Sequence, residues 1–260
     1  MAKRKPWYKT LFERDYYDLY FRGGPGGTRT EEEEARVADE QVEFIVSGLD
    51  PPEGGRLLDL CCGHGRHTVP LAQRGYSMTG LDLSAYHLRL AKAAARKADV
   101  EVEWLHRDMR DIPRRRKFDG VLNVFTAFGY FEEQAEDQKV LDGIARALKP
   151  GGRFFIDTMN HDSLMSRFTE SDWSELPDGS LRLERRAYDI HTGRSNVDWI
   201  FISKDGKRRQ QTHSVRLYTY TELEAMLSRA GLTVRDTWGD YNGRDFSMRS
   251  PRMVVLAEKG

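Results

Sequence analysis

The sequence predicts an α/β protein: a doubly wound, mostly parallel sheet with a small antiparallel β insertion. Three observations carry this. From Arg56 onward short apolar runs alternate with helical periodicity, the β-α-β-α order that builds a parallel sheet. The first run, Arg56-Leu-Leu-Asp-Leu-Cys61, leads into a turn containing Gly63 and Gly65 and then a helix start at His67. Beyond residue 180 the period falls to two, with Leu181 and Leu183, then Val197, Trp199 and Phe201, then Val215 and Leu217 on alternating positions.

In chain order, residues 1–22 are rich in aromatics: Trp7, Tyr8, Phe12, Tyr16, Tyr17, Tyr20 and Phe21. Tyr16, Leu19 and Tyr20 lie at helical spacing, which suits a helix that docks on the main body and covers a ligand mouth. Gly23-Gly-Pro-Gly-Gly27 breaks the chain. Thr30 and Glu33 have capping-box spacing, and Ala38, Val42, Ile45 and Leu49 continue at helical period until Asp50-Pro51-Pro52 stops the helix. The acidic run Glu31 to Glu34 falls in the first turn, where carboxylates complement the helix dipole. Strands are expected at Arg56–Cys61, Ser77–Asp82, Val100–His106, Phe118–Phe125 and Arg153–Thr158, with helices at about 67–74, 85–97 and 134–148. Leu148-Lys-Pro-Gly-Gly152 ends the last of these helices. His191 to Ser195 and Lys204 to Lys207 read as hairpin turns of the insertion. Thr221 is expected to cap a helix running to Ala230 and ended by Gly231, with final strands at Thr233–Trp238 and Arg252–Glu258.

Bulk composition excludes several classes. The 41 basic and 41 acidic residues cancel, which removes a global electrostatic argument for nucleic acid or an anionic membrane. Arg107, Arg110, Arg114, Arg115, Arg116 and Lys117 form a local basic cluster, but Asp108 and Asp111 interrupt it, and it reads as a solvated loop. No apolar run reaches the roughly 18–20 residues that cross a bilayer. No apolar signal region follows the basic head. The two cysteines, Cys61 and Cys62, are adjacent and build no disulfide framework. The histidines are scattered; His64 and His67 lie three apart without acidic support, so no metal is expected. The expectation is a cytoplasmic protein, monomer or homodimer, without membrane or nucleic-acid partners.

The glycine turn is the chemical signal. Gly63 and Gly65 lack a Cβ, so a ligand can approach the backbone, and the N–H groups of the following helix favour a polar group there. Gly63-His-Gly65-Arg-His-Thr68 partly matches the dinucleotide fingerprint, with Thr68 in place of the third glycine and Asp82 lying 19 residues after Gly63. The turn alone therefore leaves NAD and other adenosyl ligands open.

Three further features separate them. Asp59-Leu-Cys61-Cys-Gly63-His-Gly65 resembles the Asp/Glu-x-Gly-x-Gly-x-Gly motif of class I S-adenosylmethionine-dependent methyltransferases, with Cys61 in place of the first glycine. Asp108-Met109 after the third strand resembles that family's acidic adenine loop. The closing order of strand, insertion, helix and two strands resembles its C-terminal section. The resemblance spans residues 35–160 and, more weakly, 215–260. It implies a Rossmann-like, mostly parallel seven-stranded sheet with an antiparallel last strand. It also implies S-adenosyl-L-methionine as cofactor and S-adenosyl-L-homocysteine as product. On this resemblance Asp82 meets the ribose hydroxyls, Asp108 with Met109 meets the adenine, and His87 with Leu83 lies against the adenosine. Asp59, Cys61, Gly63 and Gly65 form the turn near the methionyl end, and Asn123 follows from the fourth strand. Cys61 is expected to keep an ordinary strand conformation.

Methyl transfer from a sulfonium is an in-line displacement, so alignment and water exclusion are the main tasks, worth on the order of 7–11 kcal/mol. The acceptor side is expected from the segment after the fourth strand, with Phe125, Phe128 and Tyr130 as an apolar wall, and from Asp157 to Asn160. His213 is a candidate base, Arg216 a candidate clamp for an acidic acceptor, Tyr218 their neighbour, and Tyr20 a contribution from the N-terminal segment. The chain divides into residues 1–29 as a lid, 30–160 as the cofactor core, 161–218 as a cap and 219–260 as the completion of the core. A small-molecule acceptor is expected. An RNA or protein methyltransferase of the same fold and an NAD-dependent oxidoreductase are the alternatives.

Overall fold

The computed structural model of the protein describes residues 6–12, 30–112, 117–176 and 178–260. After a 3₁₀ turn at Trp7–Lys9 the helices are α1 (Glu31–Leu49), α2 (Thr68–Gln73), α3 (Ala85–Lys97), α4 (Gln134–Ala147), α5 (His161–Ser166) and α6 (Tyr220–Arg229). The first five strands are β1 (Arg56–Leu60), β2 (Ser77–Asp82), β3 (Glu103–His106), β4 (Phe118–Asn123) and β5 (Leu148–Met159). Then come β6 (Ser171–Glu175), β7 (Leu181–Asp189), β8 (Arg194–Ile202), β9 (Arg208–Arg216), β10 (Leu232–Trp238) and β11 (Arg252–Lys259).

Seven strands form one sheet in the order β10-β11-β5-β4-β1-β2-β3. Strands β1 to β5 pair in parallel, and β11 runs antiparallel to both β5 and β10, as the sequence led us to expect. The chain leaves β1 toward β2 and β3, then crosses to β4 on its other side. Such a reversal of strand order opens a crevice at the carboxyl ends of the strands. Side-chain alternation gives the sheet two cores. Leu58, Leu60, Val121, Phe154 and Ile156 pack beneath α4 and α6 through Ile144, Leu223 and Met226. Leu57, Leu122, Phe155 and Val254 pack beneath α1 through Val42, Ile45 and Leu49. Both faces are covered, which is why neighbouring residues such as Leu57 and Leu58, Val121 and Leu122, and Phe154 and Phe155 are all buried.

Local chemistry sets the boundaries. The Thr30–Glu33 capping box is present in both directions, at 2.8 and 3.2 Å. Helix α6 is capped by Thr219 rather than Thr221, because Glu222 stands three residues after Thr219 and closes the box with it. Strand β3 starts at Glu103, since Asp99 adopts φ 53° and the Val100 N–H closes back on the Ala95 carbonyl at 3.1 Å. Strand β4 ends at Asn123, because Phe125 and Thr126 take φ 62° and 59°.

The insertion is a four-stranded antiparallel sheet in the order β6-β7-β8-β9. The hairpin turns at Gly193 and Gly206 both use positive φ, at 64° and 79°. Strand β6, Ser-Asp-Trp-Ser-Glu, has no apolar alternation, and pairing with β7 alone makes it a strand. Among the described residues no helix is long and apolar enough to cross a membrane.

Candidate active site

A cavity of about 330 Å³ opens over the carboxyl ends of β1 to β4. The segment Trp7 to Phe12 and the inward face of the small sheet bound it on the other side. One end is built from the glycine turn and carboxylates, the other from aromatic rings.

Cys61 departs from expectation. Its φ is 66°, in the left-handed region rather than the strand region. The turn requires that conformation where the resembled motif has glycine, and a side chain there costs about 1–2 kcal/mol. The turn holds because the Cys61 and Cys62 N–H groups both donate to the Leu81 carbonyl, at 2.7 and 3.0 Å. The Cys61 thiol lies 3.6 Å from the Met109 sulfur. Gly63, at φ 55°, donates its N–H to Asp82 Oδ2 at 2.8 Å, and only His87 Nδ1 would come within 4 Å of a Cβ there. Gly65 has a different task. A Cβ on it would lie 3.2 to 3.4 Å from Ala91, Trp104 and Val69, so it lets the turn pack on α3 and β3 and does not line the cavity.

Asp82 ends β2 with both oxygens engaged, the second accepting the Ser84 N–H at 2.7 Å. Burial pushes its carboxyl upward, against the Ser84 and Gly63 amides. Asp59 is fully buried and accepts the Thr68 hydroxyl at 2.6 Å, so Thr68 has a use in the third glycine's place. Burial pushes Asp59 up to about 7, with the Thr68 hydrogen bond opposing.

Asp108 accepts a paired hydrogen bond from Arg110 at 2.9 and 2.8 Å. Partial burial would raise its carboxyl, but the Arg110 hydrogen bonds and charge outweigh this and hold it below the usual range. Leu83, Met109 and His87 also line the cavity, and His87 sits in the first turn of α3 behind the Ser84 cap. Asn123 does not reach it. It is buried beneath the floor, where its amide donates to the Leu60 carbonyl at 2.9 Å and ties β4 to β1.

The aromatic end has one expected centre and several unexpected neighbours. His213 lies with its ring 4.1 Å from Trp199 and 6.1 Å from Trp7. Trp7 meets Tyr130 at 4.8 Å, and Phe12 stacks on Tyr130 at 5.7 Å. Register explains the Trp199–His213 pair: His213 is opposite Val197, so Trp199, two residues on, is its diagonal neighbour on the same face. Burial lowers His213 to about 4, with Asp198 opposing, so its imidazole is neutral at pH 7. Its Nδ1 is buried without a partner among the described residues.

Phe125 lines the cavity and is 52% exposed, with the Arg66 guanidinium 5.1 Å above its ring. Arg66 also reaches Glu34 and Gln41, both at 3.2 Å, and His67 Nε2 meets the same Gln41 oxygen at 2.9 Å. These contacts fix α1 against the glycine turn. Burial, above all, holds His67 well below its usual range and lowers His64 to about 3. Among the described residues no group of metal ligands is present.

Three residues expected at the acceptor stand elsewhere. Phe128 is buried in the core, 5.5 Å from the Tyr218 ring. The Tyr218 hydroxyl donates to buried Asp137 at 2.7 Å. Arg216 donates to the carbonyls of Thr192 and, at 2.9 Å, Glu132, bracing the loop after β4 against the small sheet. The physical reason is period two: His213 and Val215 face the cavity, so Arg216 points away. Tyr20, with Tyr16, Tyr17 and Phe21, and Arg114 to Arg116 lie outside the described residues. Trp7, Phe12 and Trp199 were not singled out from sequence as site residues. Only the alternation that Trp199 shares with Val197 and Phe201 placed it on one face.

Comparison with known proteins is consistent with this geometry. Residues 57–152 match the model of the methyltransferase domain family. The chain is 29% identical over 215 residues to a cypemycin N-terminal methyltransferase from Streptomyces, covering 82% of this chain and 87% of that one. It is 27% identical over 199 residues to the dTDP-3-amino-3,6-dideoxy-alpha-D-glucopyranose N,N-dimethyltransferase of Streptomyces fradiae, covering 74% and 76%. In fold, the CcbJ methyltransferase of Streptomyces caelestis aligns with a TM-score of 0.82 at 22% identity, over 97% of this chain and 99% of that one.

Proposed function

We propose that the chain is a class I S-adenosylmethionine-dependent methyltransferase and that it methylates the amine nitrogen of a small-molecule acceptor in the aromatic end of this cavity. The observation that carries the reading is one continuous cavity with a carboxylate-and-glycine end and an aromatic end. In this reading Asp82 takes the ribose hydroxyls, Asp108 the adenine amine, and the turn from Asp59 to Gly63 the methionyl end. The sulfonium then points toward Phe125. Ring faces of Trp7, Tyr130 and Trp199 suit an acceptor with an apolar body, and they attract the cationic methylated amine by about 0.5–2 kcal/mol. Neutral His213 offers a lone pair to an N–H of the acceptor, and the proton leaves to water. The two relatives named for methyl transfer to an N-terminus and to an amino sugar support nitrogen as the atom.

Residues 161–218 act as the acceptor-side cover, 30–160 and 219–260 as the cofactor core, and 1–29 as a lid that contributes Trp7, Tyr8, Leu11 and Phe12 to the cavity wall. We place the reaction in the cytoplasm. The test supplies methyl-labelled S-adenosylmethionine with a panel of amino-sugar nucleotides and other amines and locates the label. Label on nitrogen bears the proposal out; label on oxygen or carbon overturns the amine assignment.

Asp59 gives this reading a pH dependence. A ligand carrying a sulfonium and an ammonium lowers the carboxyl's affinity for its proton. Binding near pH 7 therefore releases a proton, and S-adenosylmethionine affinity rises as pH increases through about 7. Titration calorimetry in buffers of different ionisation enthalpy reads this release, which Asp59→Asn abolishes. In the unliganded protein the sign is opposite for stability. The folded carboxyl, at about 7, holds its proton where the unfolded one, at 3.8, has lost it, so stability falls as pH rises between those values.

A further inference from the structure

Phe125 and Thr126 are consecutive non-glycine residues in the left-handed region, at φ 62° and 59°. For a β-branched residue such as Thr126 this is a true outlier, and it persists only where the surroundings over-determine it. The surroundings are a partly buried network on three separate chain segments, centred on buried Asp157. Asp157, 2% exposed near the end of β5, accepts the Phe125 N–H at 3.0 Å through Oδ2, and its backbone carbonyl accepts the Thr126 N–H at 2.9 Å. Arg252, opening β11, donates its Nε–H to Asp157 Oδ1 at 2.6 Å and its outer N–H to the Thr126 hydroxyl at 2.8 Å. The Tyr241 hydroxyl donates to Asp157 Oδ2 at 3.0 Å. Every bond converges on the left-handed pair or on the carboxylate that holds it.

We propose that Asp157, Arg252 and Tyr241 are positioning residues. Their task is to hold Phe125–Thr126 in this conformation and so stand the Phe125 ring in the cavity, between the glycine turn and the acceptor seat. The inference rests on the reading of that seat given above, but its test needs no acceptor. The strain explains why an ion pair is spent here rather than an ordinary strand end: without the hold the chain relaxes, and Phe125 leaves the cavity wall.

Hydrogen exchange at the Phe125 and Thr126 amides, with the Kd for S-adenosylhomocysteine, tests this. Asp157→Asn, and the neutral pair Asp157→Asn with Arg252→Gln, are expected to speed exchange at both amides at least tenfold. The β1 amides and the Kd stay within threefold of the parent. Adding Thr126→Asn, a residue at ease in the left-handed region, returns exchange to within threefold of the parent. Unchanged exchange overturns the proposal, as does a rise shared by β1 or a rise that Thr126→Asn does not reverse. Neither result bears on whether methyl transfer occurs.

Discussion

Asp82→Ala is expected to weaken S-adenosylmethionine binding at least a hundredfold, about 2.8 kcal/mol, with the fold retained. The loss has two parts. Asp82 is the acceptor for the Gly63 and Ser84 amides, at 2.8 and 2.7 Å, so it shapes the glycine turn before any ligand arrives. A buried N–H left without a partner costs about 1–3 kcal/mol. In the reading above the same carboxylate also accepts the ribose hydroxyls, and the variant loses those bonds too. Asp82→Asn keeps one acceptor oxygen and should fall between the parent and the alanine variant. Titration calorimetry on all three checks the order. Equal affinity in Asp82→Ala would mean that the turn binds without its strut and that Asp82 lies outside the cofactor contacts.

Gly129→Ala is expected to be the most damaging single-atom addition near the acceptor side. Gly129 sits at φ 90°, and a Cβ there would lie 2.3 Å from the Arg216 carbonyl oxygen. The Arg216 N–H donates to the Gly129 carbonyl at 2.8 Å, so this close approach is the seam between the loop after β4 and the small sheet. Strain and overpacking together put the cost at about 3–5 kcal/mol, a fall in Tm of roughly 10 °C. Gly151→Ala is the control. Its φ of 71° is also left-handed, but nothing lies within 4 Å of the added Cβ, so it should cost only about 1–2 kcal/mol. Thermal unfolding of the pair separates steric contact from backbone strain. Equal losses would show that the Gly129–Arg216 approach carries no weight.

The sheet was legible because its physics is local. Both faces of the sheet's centre are covered, so Leu57-Leu58, Val121-Leu122 and Phe154-Phe155-Ile156 read as short continuous apolar runs, and the predicted bounds of β2 and α3 coincide with the observed ones. The carboxylate-and-glycine end was legible for a related reason: Asp59, Gly63 and Asp82 reach the cavity from strand ends and a turn whose positions are set along the chain. Cys61 shows the limit of reading backbone from residue type, since the turn imposes a conformation that its side chain disfavours. Strand β6 has no pattern to read, because its existence depends on β7. The aromatic end was the least legible part. Trp7, Tyr130, Trp199 and His213 are far apart in sequence and meet only through the register of β8 with β9 and the placement of the N-terminal turn. Arg216 and Tyr218 looked like site residues because they follow His213 closely, and period two turns Arg216 to the other face while Tyr218 closes on Asp137.

The central claim is that this cavity serves a small-molecule amine, and one competition measures it directly. Methyl-labelled S-adenosylmethionine is incubated with the protein in a single mixture of amino-sugar nucleotides, simple amines, bulk tRNA and soluble protein, and the label is followed by size and by mass. The account predicts label in one small-molecule amine, saturable in that amine and lost in Trp199→Ala, which removes the ring packed against His213. Label that enters tRNA or protein in preference to every small amine, undiminished in Trp199→Ala, would contradict it.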